Sequence, residues 1–191
     1  WKQLISAKRW GYEERMSNGQ FDARSEFQRD YDRLIFSSPF RRLQNKTQVF
    51  PLPGAVFVHN RLTHSLEVAC VGRSFGRIFY NTYKKHNPDV DQDIPLLQEI
   101  DTIIATACLA HDLGNPAFGH SGESAISAYF TGRGLEYRSQ LTAEQWADLV
   151  SFEGNANALR ILTKNFNGKD KSGFALTYSS LAAISKYPCS T

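Results

Sequence analysis

Apolar side chains recur at helical spacing along most of the chain, and the clearest pattern lies in residues 96–111. There one stripe at i, i+3, i+4, i+7 and i+8 is formed by Ile100, Ile103, Ile104, Ala107 and Cys108. His111 follows on the same stripe, so its imidazole is predicted to point into the protein from the C-terminal end of a helix. Gly114 and Pro116 come next and are expected to end that helix.

Helical periodicity predicts most of the remaining chain as well. Further helices are expected over residues 25–38, from Arg61 to about Lys85, from about Phe118 to Phe130, near 155–164 and near 177–185. Thr142 and Gln145 have the spacing of a capping box at the start of a short helix. Residues 47–59, rich in Val, Phe and Pro, predict a short hairpin or an extended loop. The fold class is therefore all-α, in a single domain over residues 1–191.

Composition narrows the class of protein. The 191 residues are 41% hydrophobic and 21% charged, which suits one compact soluble domain and is too apolar for disorder. No apolar run reaches about 18 residues, so no membrane association is expected. Three distant cysteines, Cys70, Cys108 and Cys189, predict neither a disulfide framework nor a thiolate zinc site, and a cytoplasmic location is the default. Neither end has an obvious terminal element, so we expect a piece of a longer protein.

The charge is unevenly distributed. Residues 1–50 hold ten Lys and Arg against six Asp and Glu, within a net charge of +3. A basic quarter suits an anionic ligand, a nucleotide or a nucleic acid, although a solvated face is the simpler explanation. Single-stranded DNA would need aromatic stacking platforms, for which Phe27, Tyr31 and Phe36 are candidates that core packing also explains.

His111 and Asp112 are adjacent at the end of the predicted buried stripe. Burying a carboxylate is costly unless it is paired or binds a metal. Imidazole with carboxylate is a ligand set for a divalent ion such as Zn, Mn, Fe, Ni or Mg. The alternative is a histidine whose charge favours the helix C-terminus.

Two further pairs share helix faces. Arg61 precedes His64 by three residues, an arrangement that would place a guanidinium for phosphate beside a metal ligand. Glu123 follows His120 by three, so a carboxylate could orient an imidazole as a proton donor. A surface arginine with a core histidine, and a glutamate that complements a helix dipole, are the alternatives. His59 and His86 have no such partners.

These residues form a recognisable pattern. His64 on one helix and His111–Asp112 ending another resemble the HD superfamily of metal-dependent phosphohydrolases. Five segments, in order and spacing, resemble the deoxynucleoside triphosphate triphosphohydrolases, which include the bacterial dGTPases: FRRLQNKTQVF (40–50), NRLTHSLEVA (60–69), CLAHDLGNPAFGHSGESAI (108–126), FEGNANALRIL (152–162) and LAAISKYPC (181–189).

The resemblance implies an HD-type helical bundle that hydrolyses dGTP, or dNTPs generally, to deoxynucleoside and triphosphate by attack of water at the α-phosphate. It also implies roles for individual residues. The metal ligands would be His64, His111 and Asp112, with Mg or Mn favoured over Fe, Ni, Co or Zn. The catalytic pair would be His120 and Glu123. Substrate contacts would be Gln48 (or, second to it, Gln44) at the sugar, Arg61 at phosphate, and Asn155, Lys186 and Tyr187 at the triphosphate tail. Homo-oligomers are implied as well.

The sequence departs from the family pattern at two points. The family's fourth metal ligand is an Asp on a later helix, expected beyond residue 191, because Asp148 and Asp170 lie in the wrong context. Asn115 stands where many relatives have His, and Asn is also seen at this position in the dGTPase branch. Rival functions are a 5′-nucleotidase, a cyclic-nucleotide or guanosine-tetraphosphate hydrolase, a non-catalytic dNTP sensor and a nucleic-acid-binding module.

Overall fold

The computed structural model describes residues 1–12, 23–47, 60–164 and 173–186. In these ranges the chain forms nine α-helices: α1 Glu26–Ile35, α2 Ser38–Arg41, α3 Arg61–His86, α4 Val90–Asp93, α5 Ile100–Ala110, α6 His120–Thr131, α7 Ala143–Val150, α8 Gly154–Thr163 and α9 Tyr178–Ile184. Three 3₁₀ helices cover Arg42–Asn45, Pro95–Glu99 and Arg133–Gln140. The described residues contain no strand, only an isolated bridge between Arg9 and Thr177, so the all-α prediction is confirmed.

Helix starts follow the polar side chains that precede them. The hydroxyl of Thr142 accepts the N–H of Gln145, whose side chain accepts the N–H of Thr142, so the predicted capping box at α7 is confirmed. Ser25 and Asn60 cap α1 and α3 with side-chain oxygens in the same way. The segment predicted as one helix over 96–111 is instead a 3₁₀ turn that leads into α5.

Helix α5 lies at the centre of the fold, between α1, α3 and α9. Its buried residues include Asp101, Thr102, Ala105 and Thr106 in addition to Ile100 and Ile103, so the single apolar stripe was too narrow a prediction. The reason is that α5 is covered on several sides, and a surrounded helix has no solvent face. The hydroxyl of Thr106 donates to the carbonyl of Thr102, which satisfies it within the helix.

The buried face of α3 is built from small residues, which lets its backbone approach α5. These residues are Ser65, Ala69, Gly72 and Gly76, together with Arg61. A Cβ on Gly76 would lie 2.4 Å from Cα of Asp101, and one on Gly72 would lie 2.6 Å from Sγ of Cys108. This close approach brings the first turn of α3 beside the last turn of α5, where the candidate site lies.

The hydrophobic core has two clusters. One surrounds the ends of α5 and α8 and includes Leu34, Leu43, Leu109, Leu113 and Leu162. The other contains Ile5, Phe27, Val90, Leu97 and Ile103. Leu113 therefore anchors the loop after α5, close to the His111–Asp112 pair, in the interior.

The N-terminal segment joins α1 to the start of α9. The guanidinium of Arg9 donates to Asp30 (2.6 Å), to Glu26 (2.5 Å) and to the carbonyl of Ala175 (2.6 Å). Asp30, fully buried, also accepts from the backbone N–H and the hydroxyl of Thr177. This network places α9, and Lys186 just after it, relative to the core.

Two sequence predictions fall partly or wholly outside these ranges. Residues 48–59 of the predicted hairpin or extended loop, which include Gln48 and His59, lie outside the described residues, as does Tyr187. They stay predictions. In the described part of the chain, no helix combines the length and the apolar character that crossing a membrane requires.

Candidate active site

The first turn of α3 places Arg61 and His64 on one side of the helix. Arg61 is 3% exposed, and its backbone N–H donates to the carbonyl of Lys46. His64 is half-buried, and its ring faces that of His111 edge-on, with the ring centroids 5.3 Å apart. The structure therefore brings these two predicted ligands together from separate helices.

The end of α5 orients the second histidine. Nδ1 of His111 lies 2.6 Å from the carbonyl oxygen of Cys108. Because a carbonyl only accepts, Nδ1 carries a proton, and in the neutral tautomer this leaves the lone pair on Nε2. A histidine held in this tautomer presents Nε2 to a metal. The prediction that the ring points inward is only partly met, since the side chain is 36% exposed.

His64, His111 and Asp112 each offer one ligand atom within 4.8 Å of the others. Nε2 of His111 lies 3.5 Å from Oδ1 of Asp112. Neighbouring ligand atoms that are each about 2.1 Å from an ion are about 3.0–3.4 Å apart. Two imidazoles and a carboxylate at this spacing fit a divalent metal after small side-chain movements.

Both oxygens of Asp112 have donors. Nη1 of Arg61 lies 2.7 Å from Oδ2, and the two side chains are 4% and 6% exposed. Nδ2 of Asn115 donates to Oδ1 at 2.6 Å. The buried charge of Asp112 is therefore compensated before any metal is considered, and Arg61, predicted to hold phosphate, has Asp112 as its observed ion-pair partner.

His120 and Glu123 form a pair at the start of α6. Nδ1 of His120 lies 2.7 Å from Oε2 of Glu123, and the His120 side chain is fully exposed, whereas that of Glu123 is mostly buried. Oε1 of Glu123 accepts the N–H of Gly154 at 2.9 Å. The carboxylate is thus fixed by α8 while the far edge of the imidazole remains open to solvent.

Gly119, which directly precedes His120, lies against the guanidinium of Arg61. Its φ is +57°, a conformation that side chains disfavour, and a Cβ there would lie 2.9 Å from Nη2 of Arg61. The close approach of backbone to guanidinium places the His120 turn directly over Arg61. The metal-ligand cluster and the turn that carries the histidine–glutamate pair therefore both adjoin Arg61.

Two of the predicted triphosphate-tail residues, Asn155 and Lys186, lie near the start of α8. Nδ2 of Asn155 donates to Oε1 of Glu153, the residue that caps α8 through the N–H of Ala156. Burial favours the neutral form of Glu153, but hydrogen bonds from Ala156 and Asn155 and the charge of Lys186 outweigh it and lower its pKa. Lys186 thus lies close enough to Glu153 to act on it. Gln44, the second choice for the sugar contact, is exposed.

Sequence reasoning missed Lys46 and the hydrogen-bonding role of Asn115. Nζ of Lys46 donates to the backbone carbonyl of Asn115 at 2.9 Å. Burial lowers the pKa of Lys46, as do the nearby charges of Arg61 and Arg42, against the opposing effect of Asp112. Lys46 lies within the FRRLQNKTQVF segment, but that segment does not show where its side chain lies.

The stacking candidates in the basic N-terminal quarter do not form one surface. Phe27 is buried in the core, and the guanidinium of Arg73 covers the ring of Tyr31 at 4.9 Å. Phe36 is 72% exposed. Phe27 is therefore explained by core packing and not as a stacking platform, because it lies on the buried face of α1.

Comparison with known proteins agrees with this geometry. The HD domain family matches residues 61–178, which include His64, His111, Asp112 and the His120–Glu123 pair, and the chain belongs to this family. The fold class and the family resemblance predicted from the motifs are thereby confirmed. An HD domain implies a divalent metal, and the His64, His111 and Asp112 cluster is a possible site for it.

Longer relatives are similar along nearly the whole chain. A deoxyguanosinetriphosphate triphosphohydrolase-like protein of Synechocystis is 43% identical over 98% of this chain and 42% of its own length. One of Listeria monocytogenes is 39% identical over 100% and 43%. A deoxyguanosinetriphosphate triphosphohydrolase of Yersinia enterocolitica is 35% identical over 97% and 41%. The chain thus spans about two fifths of the length of these curated relatives.

Proposed function

We propose that this chain supplies the metal-binding and catalytic part of a deoxynucleoside triphosphate triphosphohydrolase, which hydrolyses dGTP or other dNTPs to deoxynucleoside and triphosphate. The observation that carries the proposal is the convergence of His64, His111 and Asp112 beside the separate His120–Glu123 pair. The names of relatives that are similar along nearly the whole chain support the substrate class.

His64, His111 and Asp112 would hold the divalent ion, with Mg or Mn as our choice. When bound, such an ion neutralises phosphate charge and acidifies a bound water. The carbonyl of Cys108 orients the ring of His111, and Arg61 and Asn115 orient the carboxylate of Asp112. A further carboxylate ligand from beyond residue 191 belongs to the same proposal.

His120 would act on the departing 5′-oxygen. Hydrolysis at the α-phosphorus forms a bond from water oxygen to phosphorus and breaks the bond from phosphorus to the 5′-oxygen, which must then gain a proton. Glu123 accepts from Nδ1 of His120 and fixes the orientation of the ring, and Nε2 of a protonated His120 would donate that proton. Such a positioned acid typically contributes about 10²–10⁴-fold in rate.

Charge on the phosphates would be shared among basic side chains. Nε of Arg61 is buried and has no hydrogen-bond partner among residues 1–12, 23–47, 60–164 and 173–186, and a phosphate oxygen would satisfy it. Lys186 and Asn155, next to Glu153, would contact the triphosphate tail together with Tyr187, and Gln48 would contact the sugar. A single domain, a homo-oligomer and a cytoplasmic location complete the proposal.

Product analysis tests the reaction. The protein is incubated with each of the four dNTPs and MnCl₂ or MgCl₂, and phosphorus NMR identifies the product. Inorganic triphosphate supports the proposal. Orthophosphate or pyrophosphate would indicate another HD phosphohydrolase, and nucleotide binding without product would indicate a sensor.

His120→Ala tests the proton donor. We expect turnover to fall at least about 100-fold while Mn²⁺ binding and folding persist, because the side chain is fully exposed. His86→Ala is the matched control, since His86 is exposed at the far end of α3, about 33 Å along the helix from His64. Full turnover in His120→Ala would refute the assignment.

A further inference from the structure

Asp112 receives two donors from opposite sides. Arg61 occupies Oδ2 at 2.7 Å, and the Asn115 amide occupies Oδ1 at 2.6 Å. Two fixed donors set the rotation of the carboxylate plane. In that rotation Oδ1 lies 3.5 Å from Nε2 of His111, close to the separation of two ligands that share one ion.

The Asn115 side chain is confined on its other side by Gly154. A Cβ on Gly154 would lie 1.9 Å from Oδ1 of Asn115, so a side chain at position 154 would displace the amide. The backbone of Asn115 is held as well: its N–H donates to the carbonyl of Asp112, and its carbonyl accepts from Lys46. The amide therefore has little freedom to turn away from Asp112.

Gly154 contacts the second half of the site at the same time. Its N–H donates to Oε1 of Glu123 at 2.9 Å, and the same hypothetical Cβ would lie 2.8 Å from that oxygen. One residue of α8 thus touches the amide that orients Asp112 and the carboxylate that orients His120. The start of α8 fixes the distance between the two groups.

We propose that Asn115 is a positioning residue for the metal centre: wedged against Gly154, its amide aims Oδ1 of Asp112 at the space shared with His111. The inference rests on the proposed function, since it requires that Asp112 bind a metal. Donors to a metal-binding carboxylate typically affect metal affinity about 10–100-fold. From the sequence, Asn115 was noted only because many relatives have His at this position.

The test measures Mn²⁺ affinity by calorimetry, without substrate. We expect Asn115→Ala to weaken Mn²⁺ binding about 10–100-fold relative to the unaltered protein. Asn157→Ala is the matched control, because the amide of Asn157 donates to the carbonyl of Gly114 in the same loop at 2.9 Å but touches no ligand. It should retain the affinity of the unaltered protein.

A second variant removes no polar group but is expected to displace the Asn115 amide. Gly154→Ala should weaken Mn²⁺ binding when Asn115 is present and have little further effect in Asn115→Ala, because the smaller side chain removes the clash. If Asn115→Ala fails to fold, Gly154→Ala still tests whether the position of the Asn115 amide affects Mn²⁺ affinity.

The outcomes are distinct. Equal losses in Asn115→Ala and Asn157→Ala, or no loss in Asn115→Ala or Gly154→Ala, would overturn the positioning role. Two other outcomes would instead overturn the proposed metal centre. Either the unaltered protein binds no Mn²⁺, or the His111→Ala variant binds Mn²⁺ as tightly as the unaltered protein does.

Discussion

The buried ion pair between Arg61 and Asp112 allows a quantitative prediction about stability. The two side chains are 4% and 6% exposed and lie 2.7 Å apart. Charges separated by about 4 Å interact by about 4 kcal/mol at an effective dielectric constant of 20. Removing one partner leaves the other buried and uncompensated, which typically costs about 3–5 kcal/mol.

Arg61→Gln and Asp112→Asn should each lower the free energy of unfolding by about 3–5 kcal/mol. A domain of this size loses about 2–4 °C in Tm per kcal/mol, so each Tm should fall by about 6–20 °C. The double variant should be less destabilised than the sum of the two, because neither charge is then left alone. The measurement is urea unfolding in the presence of a chelator, so that no metal contributes.

An exposed pair on the same protein is the control. Lys84 and Asp91 form an ion pair at the surface, with both side chains nearly half exposed. Solvent screens such pairs, so Lys84→Gln and Asp91→Asn should be close to additive. Additive losses at Arg61 and Asp112 as well would show that the buried pair is not coupled and refute the reasoning.

Two further predictions concern the junction of the α5–α6 loop with α8. Gly114→Ala should lower the free energy of unfolding by about 1–3 kcal/mol or more, seen as a lower Tm, because its Cβ would lie 2.1 Å from the Gly154 carbonyl oxygen and 2.2 Å from the Ala158 nitrogen; an unchanged Tm would contradict the close packing. Glu153→Gln should cost about 0.3–1 kcal/mol at pH 7, because it removes a negative charge from the start of α8. Because the pKa of Glu153 is lowered, the folded state binds fewer protons than the unfolded state near pH 4. The difference in unfolding free energy between the unaltered protein and Glu153→Gln should therefore vanish as pH falls through the pKa of Glu153 in the folded state. A difference that persists at low pH would contradict the assigned cause.

Periodicity predicted the helices because large apolar residues mark them directly. The same method underestimated how buried α5 is, since Asp101 and Thr106 read as polar until neighbouring helices cover them. It gave no account of why α3 approaches α5 so closely. That approach depends on Gly72 and Gly76, which have no hydrophobic signature.

For the candidate site as well, some features were predictable from the sequence and others were not. His64, His111, Asp112, His120 and Glu123 were named from short strings because their chemistry is encoded locally. Their mutual support was not, because it comes from other segments of the chain: the Gly154 N–H on Glu123, and the Lys46 ammonium on the loop of Asn115. Side-chain donors that arrive from distant segments leave no pattern at a fixed spacing.

The contact of Gly114 with the first turn of α8 limits how this protein can diverge. A Cβ on Gly114 would meet backbone atoms of α8, including the carbonyl oxygen of Gly154. A larger residue at position 114 therefore cannot be accommodated by a smaller side chain on α8. A larger residue at this junction would require the whole of α8 to shift, which would also move Glu123 and Asn115. Sequence changes are therefore accommodated more easily elsewhere on the rim of the site than at this pair of glycines.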